Sequence, residues 1–511
     1  MRKWITLPLV LIAFTAAWAV PSEAAKGKLT VVLTGEPPTM DPHQSSNANA
    51  TIVWRWAYDT LVSAETGTGK RIPWLAERWE RLSARQIKFW LRKGAKFADG
   101  TPVTAEAVKY SMSRVFLPEL KSRQRPYFAT FDRIEVLDGQ TLIWHNKTAD
   151  NGTLNRLDRW GHVMSLQTKD IDKAKISRNT FGSGPYILKS WTKGQRMEFE
   201  ANPNWWADKM YPNRPQTVVL RHIVEATTRV QALRLGEGAS INDAREQLVP
   251  ALEKDPSIQV AAVPSVRIFF MSFLTRQPNP FTDVNLRLAM NYAIDTDQIS
   301  KTIMGGRANP IGSLFHPWNY SGHNPKSRWH GFDLAKSKEY LKKSSYKAGE
   351  EVPLIATVGR YPADKPVCEA TAGMLQRAGI NAKCEATAYS LWNERFNAYQ
   401  AGKKKGPAVF MHAFGNGTGD PGQITKALSS CKGFRSPHCF KDLDAQIDKA
   451  VATAEPGQQQ AEFEKVTAIL KDRALFKIYY QTHDVFAYRK SVEFTPRHDE
   501  ALYVWGALGT A

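Results

Sequence analysis

Cysteine is scarce in this sequence, and the positions of the few cysteines argue against one kind of membrane attachment. The chain of 511 residues has 4 cysteines, of which Cys368 comes first. An exported bacterial protein that is tethered by lipid carries the lipid on a cysteine at its cleavage site. No such anchor is therefore expected here.

Long apolar runs are also missing, with one exception at the N-terminus. Arg2 and Lys3 precede an apolar stretch over residues 5–19, and small residues offer cleavage after Ala19 or Ala24. A membrane span needs ~20 apolar residues, so this stretch is short for one. The arrangement predicts a cleaved signal peptide over residues 1–24 and an exported mature protein.

Recognisable catalytic motifs are missing as well. The chain has no Gly-x-Ser-x-Gly elbow, no His-Glu-x-x-His and no Walker loop. Residues 415–419 are rich in glycine, but they lack the spacing and the lysine of a phosphate-binding loop. We expect no enzymatic activity, no cofactor and no metal centre.

The charge balance is strongly basic, with a formal net charge of +20. Such an excess of positive charge can favour binding to nucleic acid, to an anionic membrane or to an acidic ligand. The charges are scattered, however, and the one tight cluster is Lys403–Lys405 between glycines. For an exported protein we expect no nucleic-acid partner.

The cysteines fall into two near pairs, Cys368 with Cys384 and Cys431 with Cys439. In an oxidising compartment this spacing predicts two local disulfides. The alternative is a zinc site, for which neither pair has the usual spacing and only His438 lies near.

The length and the mixture of patterns indicate an α/β protein with two lobes. Single cores stop growing near ~250–300 residues, so a chain of this length divides. Thr104 and Asp283 are placed to cap helices, and Leu288 and Tyr292 are expected on the buried face of the second one. Alternating or β-rich runs predict strands over residues 29–33, 86–91, 141–145, 196–200, 217–223 and 267–274.

Four segments carry a resemblance to a known family. Residues 89–115 read FWLRKGAKFADGTPVTAEAVKYSMSRV, and residues 283–295 read DVNLRLAMNYAID. Gly182–Tyr186 and Asn202–Trp206 add a GSGPY turn and an NPNWW sequence. Together they resemble the family 5 extracellular solute-binding proteins of ABC importers, which serve dipeptides, oligopeptides and nickel, in their periplasmic form.

The resemblance implies an α/β periplasmic binding protein of the large type II variant, with a ligand cleft between two hinged lobes. Lobe I would hold residues 25–262, with an extra subdomain inserted over about 64–180. Lobe II would hold residues 263–486, and residues 487–511 would return to lobe I.

The same resemblance implies a function. The protein would capture a peptide or peptide-like carboxylate ligand in the periplasm, as a monomer, and deliver it to an ABC permease and ATPase complex in the inner membrane. The alternatives are an opine or another carboxylate metabolite, a nickel chelate, or a chaperone-like interaction with unfolded chains.

Binding residues follow from matching the family motifs. Arg360 falls where dipeptide binders place the arginine that pairs with the ligand carboxylate. Matching on Asp420-Pro421 puts Gly417 where the family has an aspartate for the ligand ammonium group, so that anchor is missing. The other expected ligand-binding residues are His412, Phe414, Asn416, Thr418, Glu36, Trp318 and Trp392. Of these, Glu36 is the candidate to replace the missing negative charge.

Overall fold

The computed structural model describes residues 27–245 and 247–506 of the chain. The predicted signal peptide, residues 1–24, lies outside the described residues. Within the described ranges, no helix combines the length and the apolar character that crossing a membrane requires.

The described residues form seventeen β-strands and fourteen α-helices, joined by turns and short 3-10 helices. The strands are β1 (Lys28–Leu33), β2 (Val62–Ala64), β3 (Arg71–Pro73), β4 (Ala76–Ser83), β5 (Gln86–Leu91), β6 (Phe131–Val136), β7 (Thr141–Asn146), β8 (Tyr186–Thr192), β9 (Arg196–Ala201), β10 (Thr217–His222), β11 (Ser240–Ile241), β12 (Ile258–Phe273), β13 (Ala308–Asn309), β14 (Val352–Thr357), β15 (Ala382–Thr387), β16 (Val409–Gly415) and β17 (Phe476–Arg489). The helices are α1 (Ala48–Ala57), α2 (Ala105–Arg114), α3 (Thr153–Trp160), α4 (Lys173–Ile176), α5 (Ala226–Arg234), α6 (Val249–Glu253), α7 (Val284–Ala293), α8 (Thr296–Thr302), α9 (Leu334–Lys343), α10 (Asp364–Arg377), α11 (Tyr389–Gln400), α12 (Pro421–Ser429), α13 (Lys441–Ala452) and α14 (Pro456–Asp472).

One large sheet runs through the molecule in the order β15-β14-β16-β12-β17-β11-β1-β10-β9-β8, and β13 pairs with β17. Strand β1 is parallel to β10 and β11, and β14 is parallel to β15 and β16. In the middle lie two long antiparallel strands, β12 with 16 residues and β17 with 14. These two strands connect the two ends of the sheet.

The buried apolar side chains form separate cores on the two sides of this connection. Two clusters draw their fully buried residues from positions 29–258 and 485–505, and we call this part the first lobe. Three clusters draw theirs from positions 268–480, and we call this part the second lobe. The predicted α/β fold with two lobes is confirmed.

A smaller antiparallel sheet, in the order β4-β5-β7-β6, belongs to the first lobe. Ile87, Phe89 and Leu91 of β5 are buried and alternate with partly exposed neighbours, as one covered face of a sheet requires. This sheet lies within residues 64–180, the segment expected to form an extra subdomain. The exact limits of that subdomain and of the lobes stay predictions.

The predicted helix caps are confirmed. The Thr104 hydroxyl accepts a hydrogen bond from the Ala107 amide at 3.2 Å, and α2 begins at the next residue. The Asp283 carboxylate accepts one from the Asn285 amide at 2.8 Å at the start of α7. Each side-chain oxygen satisfies an amide that has no partner within its helix.

Both predicted disulfides are confirmed, which sets the zinc alternative aside. Cys368 is bonded to Cys384 and joins α10 to β15, with 5.6 Å between the Cα atoms. Cys431 is bonded to Cys439 with 4.2 Å between the Cα atoms, and closes the loop between α12 and α13.

Candidate ligand cleft

A cavity of about 270 Å³ lies where the two lobes meet. The start of α1 forms one wall, where the Asn47 side chain caps the helix by accepting from the Ala50 amide at 3.3 Å. The loop before α10 forms another wall, and the middle of β17 passes between them. The charged or titratable lining residues are Asp243, Arg267, Arg360, Tyr361, His483, Asp484 and Glu500.

The pairing of β12 with β17 is interrupted at Arg267, which lies on the cavity wall. Regular pairing of β12 with β17 stops after Pro264 and resumes at Ile268, so three residues of β12 lie opposite the single Thr482. Bulges of this kind bend a strand and redirect its side chains. Arg267 lies within the bulge and lines the cavity.

Glu500 is held between two arginines. Its carboxylate lies 2.6 Å from Arg267 Nη2 and 3.0 Å from Arg159 Nη2. Burial acts to raise the pKa of Glu500, but the charges of Arg267 and Arg159 outweigh burial and lower the pKa below its ordinary value. Glu500 is therefore ionised and already paired within the protein.

Asp484 lies on the same wall of the cavity but, unlike Glu500, it is not paired in the part of the chain that the structure describes. It is partly buried on β17, and within the described residues its side chain makes no hydrogen bond and no ion pair shorter than 4.0 Å. Burial, together with the charge of Glu500, raises the pKa of Asp484 to about 7, against the opposing effect of Arg267. A carboxyl group without a partner therefore faces this cavity.

Arg360 also lines the cavity, as an exposed residue of the loop before α10. Its guanidinium carbon lies 5.3 Å from the ring centre of Tyr361 and 5.2 Å from that of Tyr389, within cation–π range. No hydrogen bond or ion pair from its side chain is present among the described residues. The role of Arg360 in ligand binding stays a prediction.

Arg159 occupies the space beside Gly417, where the family places the ammonium-binding aspartate. A Cβ atom built on Gly417 would lie 2.3 Å from Arg159 Nη1 and 2.4 Å from its Cζ. Arg159 is held there by Glu500 and by the carbonyl oxygen of Asp499, at 3.0 and 3.2 Å. A guanidinium thus stands where relatives of the dipeptide-binding type would present a carboxylate.

Gly417→Ala is expected to lower the free energy of unfolding by about 1–3 kcal/mol, because the added methyl group forces Arg159 away from Glu500. Urea unfolding of the purified protein measures the change. The matched control is Gly373→Ala in α10, where an added Cβ would meet nothing else of the described chain within 4 Å. Because alanine is favoured over glycine in a helix interior, this substitution is expected to raise the free energy of unfolding by about 0.5–1 kcal/mol. Equal stability of Gly417→Ala and the unaltered protein would contradict this account of Arg159.

Two of the expected ligand residues lie in the core of the second lobe. Trp392 is fully buried and donates to the carbonyl oxygen of Ile355 at 3.1 Å. His412 is buried beside it, with 4.9 Å between the ring centres, and burial lowers the pKa of His412 to about 3. Neither side chain lines the cavity between the lobes.

Asn416 and Thr418 lie in the loop after β16 and are buried. The Thr418 hydroxyl contacts the Asn416 amide oxygen at 3.1 Å and the Gln423 amide oxygen at 2.5 Å, and Asn416 donates to the carbonyl oxygen of Asp420 at 3.0 Å. Their polar groups therefore hold the loop together. A direct ligand role for either stays a prediction.

Glu36 and Trp318 also have partners within the protein. The Glu36 carboxylate accepts from Trp191 Nε1 and from the Gly194 amide, both at 2.9 Å. Trp318 stacks on His498 with 4.1 Å between ring centres and donates to the carbonyl oxygen of Gly67 at 3.1 Å. Neither residue lines the 270 Å³ cavity, so the structure does not bring them together with Arg360.

Phe414 lines a second cavity, of about 490 Å³, between α3 and α12. The lobes touch beside it: Asn155 Nδ2 donates to the carbonyl oxygen of Thr418 at 2.6 Å, and Arg156 Nη1 lies 2.5 Å from Asp420 Oδ2. These contacts, with that of Trp318, join the first lobe to the second. The lobes are therefore closed on one another.

Sequence reasoning missed Arg159, Arg267, Asp484 and Glu500, which set the charge of the cleft. One weak signal was available for Asp484, because it is the one acidic residue in the sequence of β17, FKIYYQTHDVFAYR. The pairing of Glu500 with Arg267 and Arg159 joins residues more than 200 positions apart and has no local signal.

Comparison with known proteins places the chain in a family. A family model described as bacterial extracellular solute-binding proteins, family 5 Middle, matches residues 70–436. The probable D,D-dipeptide-binding periplasmic protein DdpA of Escherichia coli is 26% identical over 531 residues, covering 99% of each chain. The dipeptide-binding protein of Escherichia coli is 24% identical, covering 92% of this chain and 91% of its own.

A solved structure agrees with this assignment at the level of the fold. The ABC transporter substrate-binding protein CtaP of Listeria monocytogenes superposes with a TM-score of 0.84 at 20% identity, covering 94% of this chain and 99% of its own. Because the family model matches well over half of the sequence, the chain belongs to the bacterial extracellular solute-binding proteins of family 5.

Proposed function

We propose that this protein is the substrate-binding component of an ABC importer and that it captures a peptide or peptide-like carboxylate in the cleft. The observation that carries the proposal is the cavity between closed lobes with the unpaired guanidinium of Arg360 on its wall. A planar guanidinium suits a carboxylate, which it can bind through two parallel hydrogen bonds. The two Escherichia coli relatives are named for binding dipeptides, which supports a peptide ligand.

The size of the cavity favours a short ligand. Pockets for small molecules occupy ~300–1,000 Å³, and the cleft cavity of about 270 Å³ lies just below that range. Two residues of peptide suit this volume better than a long oligopeptide.

The proposed cycle uses the hinge. The lobes, divided at about residues 262 and 486, open and close around β12 and β17, and the subdomain at about 64–180 moves with lobe I. The closed form then docks on the permease and ATPase complex of the inner membrane. The protein acts in the periplasm as a monomer, returns its ligand unchanged and needs no cofactor.

Thermal unfolding against a ligand panel tests this function. The panel holds L-Ala-L-Ala, D-Ala-D-Ala, their N-acetyl derivatives, an opine, a nickel–histidine chelate and a reduced, unfolded protein. A ligand that binds only the folded form adds about 2.7 kcal/mol of stability at one hundred times its Kd, so dipeptides are expected to raise the midpoint temperature. Mass spectrometry should recover the bound dipeptide intact.

Other outcomes would overturn the proposal. A rise with the opine or the chelate alone would replace the peptide by that ligand class. Binding of the unfolded protein without any effect of the small ligands would favour the chaperone-like alternative. Hydrolysis of the dipeptide would show that the protein is an enzyme.

A further inference from the structure

The charged groups of the cleft cavity divide into paired and unpaired ones. Glu500 and Arg267 pair with each other, and Asp243 lies 3.4 Å from Arg245. His483, the neighbour of Asp484 on β17, has its Nε2 3.0 Å from the amide oxygen of Asn309. Within residues 27–245 and 247–506, the cavity-lining charges whose side chains make no hydrogen bond or ion pair are Arg360 and Asp484.

These two unpaired charges have opposite sign and line one cavity, Arg360 as an exposed residue and Asp484 as a partly buried one. A ligand that fills the cavity displaces water from both groups, and a charged group without water is unfavourable until it meets an opposite charge or hydrogen-bond partners. A ligand that carries a carboxylate and an ammonium group relieves both groups at once. A ligand with a carboxylate alone leaves Asp484 unpaired in the closed cleft.

The position at which the family resemblance would place the ligand ammonium group is unsuitable for a cation in this protein. Beside Gly417 stands the guanidinium of Arg159, which repels a cation, and its neighbour Glu500 is already shared by two arginines. We propose that Asp484 binds the ammonium group of the ligand while Arg360 binds its carboxylate, so that the cleft selects zwitterionic ligands such as dipeptides with a free amine. This inference rests on the proposed peptide-binding function.

The surroundings of Asp484 predict a pH dependence. The charged groups that face it are Glu500 and Asp243, which raise its pKa, and Arg267, which lowers it; Arg360 and His483 line the same cavity. With burial as the largest influence, the pKa of Asp484 lies at about 7. Below that pH the free protein carries a neutral Asp484, and a ligand ammonium must displace its proton.

The sign of the effect follows from this proton. Affinity for a free-amine dipeptide is expected to fall as pH drops below 7, by up to about tenfold for each pH unit. Above about pH 8 the ligand amine itself loses its proton, and affinity falls again. The optimum therefore lies between these two values.

The test is isothermal titration of the full mature protein with L-Ala-L-Ala, D-Ala-D-Ala and their N-acetyl derivatives, at several pH values from 5 to 9. Asp484→Asn keeps the size of the side chain and removes its charge. We expect it to weaken binding of the free-amine dipeptide by at least about 30-fold, to leave the N-acetyl derivative unaffected and to flatten the fall below pH 7. The matched control is Asp170→Asn, an exposed aspartate whose replacement should leave affinity unchanged.

The outcomes separate this inference from the function on which it rests. If N-acetyl dipeptides bind as tightly as free ones and Asp484→Asn has no effect, the assignment of Asp484 is wrong while peptide binding stands. If neither form binds, the peptide-binding function itself is wrong. Should Asp484→Asn fail to fold, equal affinity of the unaltered protein for the free-amine dipeptide and for its N-acetyl derivative would overturn the assignment.

Discussion

Replacing Arg360 by alanine is expected to weaken dipeptide binding by at least about 100-fold. The guanidinium lines the cleft without an ion-pair partner in the described protein, so its charge is free for the ligand carboxylate. Arg360 is exposed without ligand. Once a ligand carboxylate covers the guanidinium, removing one member of that buried charge pair costs about 2–5 kcal/mol, and each 1.4 kcal/mol is tenfold in affinity. Isothermal titration with the dipeptide that gives the largest thermal shift measures the loss.

Two further variants show whether the effect belongs to the cleft. Arg360→Lys keeps the charge but loses the planar, two-pronged geometry, so it should recover only part of the affinity. Arg377→Ala removes an exposed arginine from the end of α10 in the same lobe, and it should bind as the unaltered protein does. If Arg360→Ala binds normally, the ligand carboxylate is held elsewhere and the proposed orientation is wrong.

Stability gives an independent control on this experiment. Arg360 makes no side-chain hydrogen bond or ion pair within the described residues, so Arg360→Ala should change the free energy of unfolding by less than about 0.5 kcal/mol in the absence of ligand. A larger loss would indicate that the arginine supports the fold through Tyr361 and Tyr389, and the affinity change would then have a structural origin.

Local signals predicted much of the fold. Strand β5 begins and ends at the predicted residues 86 and 91, and α2 and α7 begin directly after the predicted caps. These features depend on a few neighbouring residues, such as a side-chain oxygen at a helix start or alternating burial along a strand. Propensity and pattern are sufficient for them.

The buried face of α7 shows a limit of such reasoning. Leu288 and Tyr292 were expected inward, but both are partly exposed. The buried face instead carries Leu286 and Met290, together with Ala289 and Ala293. Small residues allow neighbouring elements to approach closely, so the packed face need not carry the largest apolar side chains.

The two long strands that connect the lobes, β12 and β17, were the largest part of the fold that the sequence did not predict. Only the second half of β12 was predicted, and β17 was missed. The first half of β12 contains Pro264 and shows no alternation of buried and exposed residues, because neither of its faces is fully covered. Polar residues such as Asp484 interrupt β17 for the same reason, since the strand serves the cleft as well as the core.

Among the charged residues that line the cavity, Arg360 is the one that was predicted as a site residue, because a motif marks its position. Arg360 follows from its place in a matched segment, whereas the importance of Asp484 depends on which charges elsewhere are already paired. That pairing joins α3, β12 and the C-terminal segment through Arg159, Arg267 and Glu500. Glu36 was predicted because the resemblance places its loop at the cleft, but without the three-dimensional fold its hydrogen bonds from Trp191 and Gly194 could not be foreseen.

Arg156→Met is expected to lower the free energy of unfolding at pH 7 by about 3–5 kcal/mol. Arg156 is buried and pairs with two buried carboxylates, Asp150 in its own lobe and Asp420 in the second lobe at 2.5 Å. Methionine fills a similar volume but leaves both carboxylates without their cation. Urea unfolding, followed by fluorescence, measures the loss.

The pH dependence of this loss distinguishes lost charge pairing from lost packing. In the unaltered protein, burial acts to raise the pKa of Asp150, but Arg156 and the hydrogen bonds to the carboxylate bring it below 3.8. A carboxyl group whose pKa is lowered in the folded state stabilises the protein above about pH 3.8. This stabilisation is lost only as the pH falls through the pKa of that group in the folded protein. In Arg156→Met the Asp150 carboxyl stays buried but loses this cation, so its pKa is expected to rise and it takes up a proton at milder acidity. The difference in stability between the two proteins should therefore narrow from pH 7 to pH 4.

Arg133→Met is the matched control, because Arg133 pairs with Asp132 at 2.7 Å on the surface and its side chain is 60% exposed. Its replacement should change stability by less than about 0.5 kcal/mol at either pH. Since the contact of Arg156 with Asp420 is made between closed lobes, Arg156→Met should also weaken dipeptide binding by favouring the open form. A loss of stability that stays constant from pH 7 to pH 4 would assign the role of Arg156 to packing, and unchanged affinity would show that its contact with Asp420 does not hold the lobes closed.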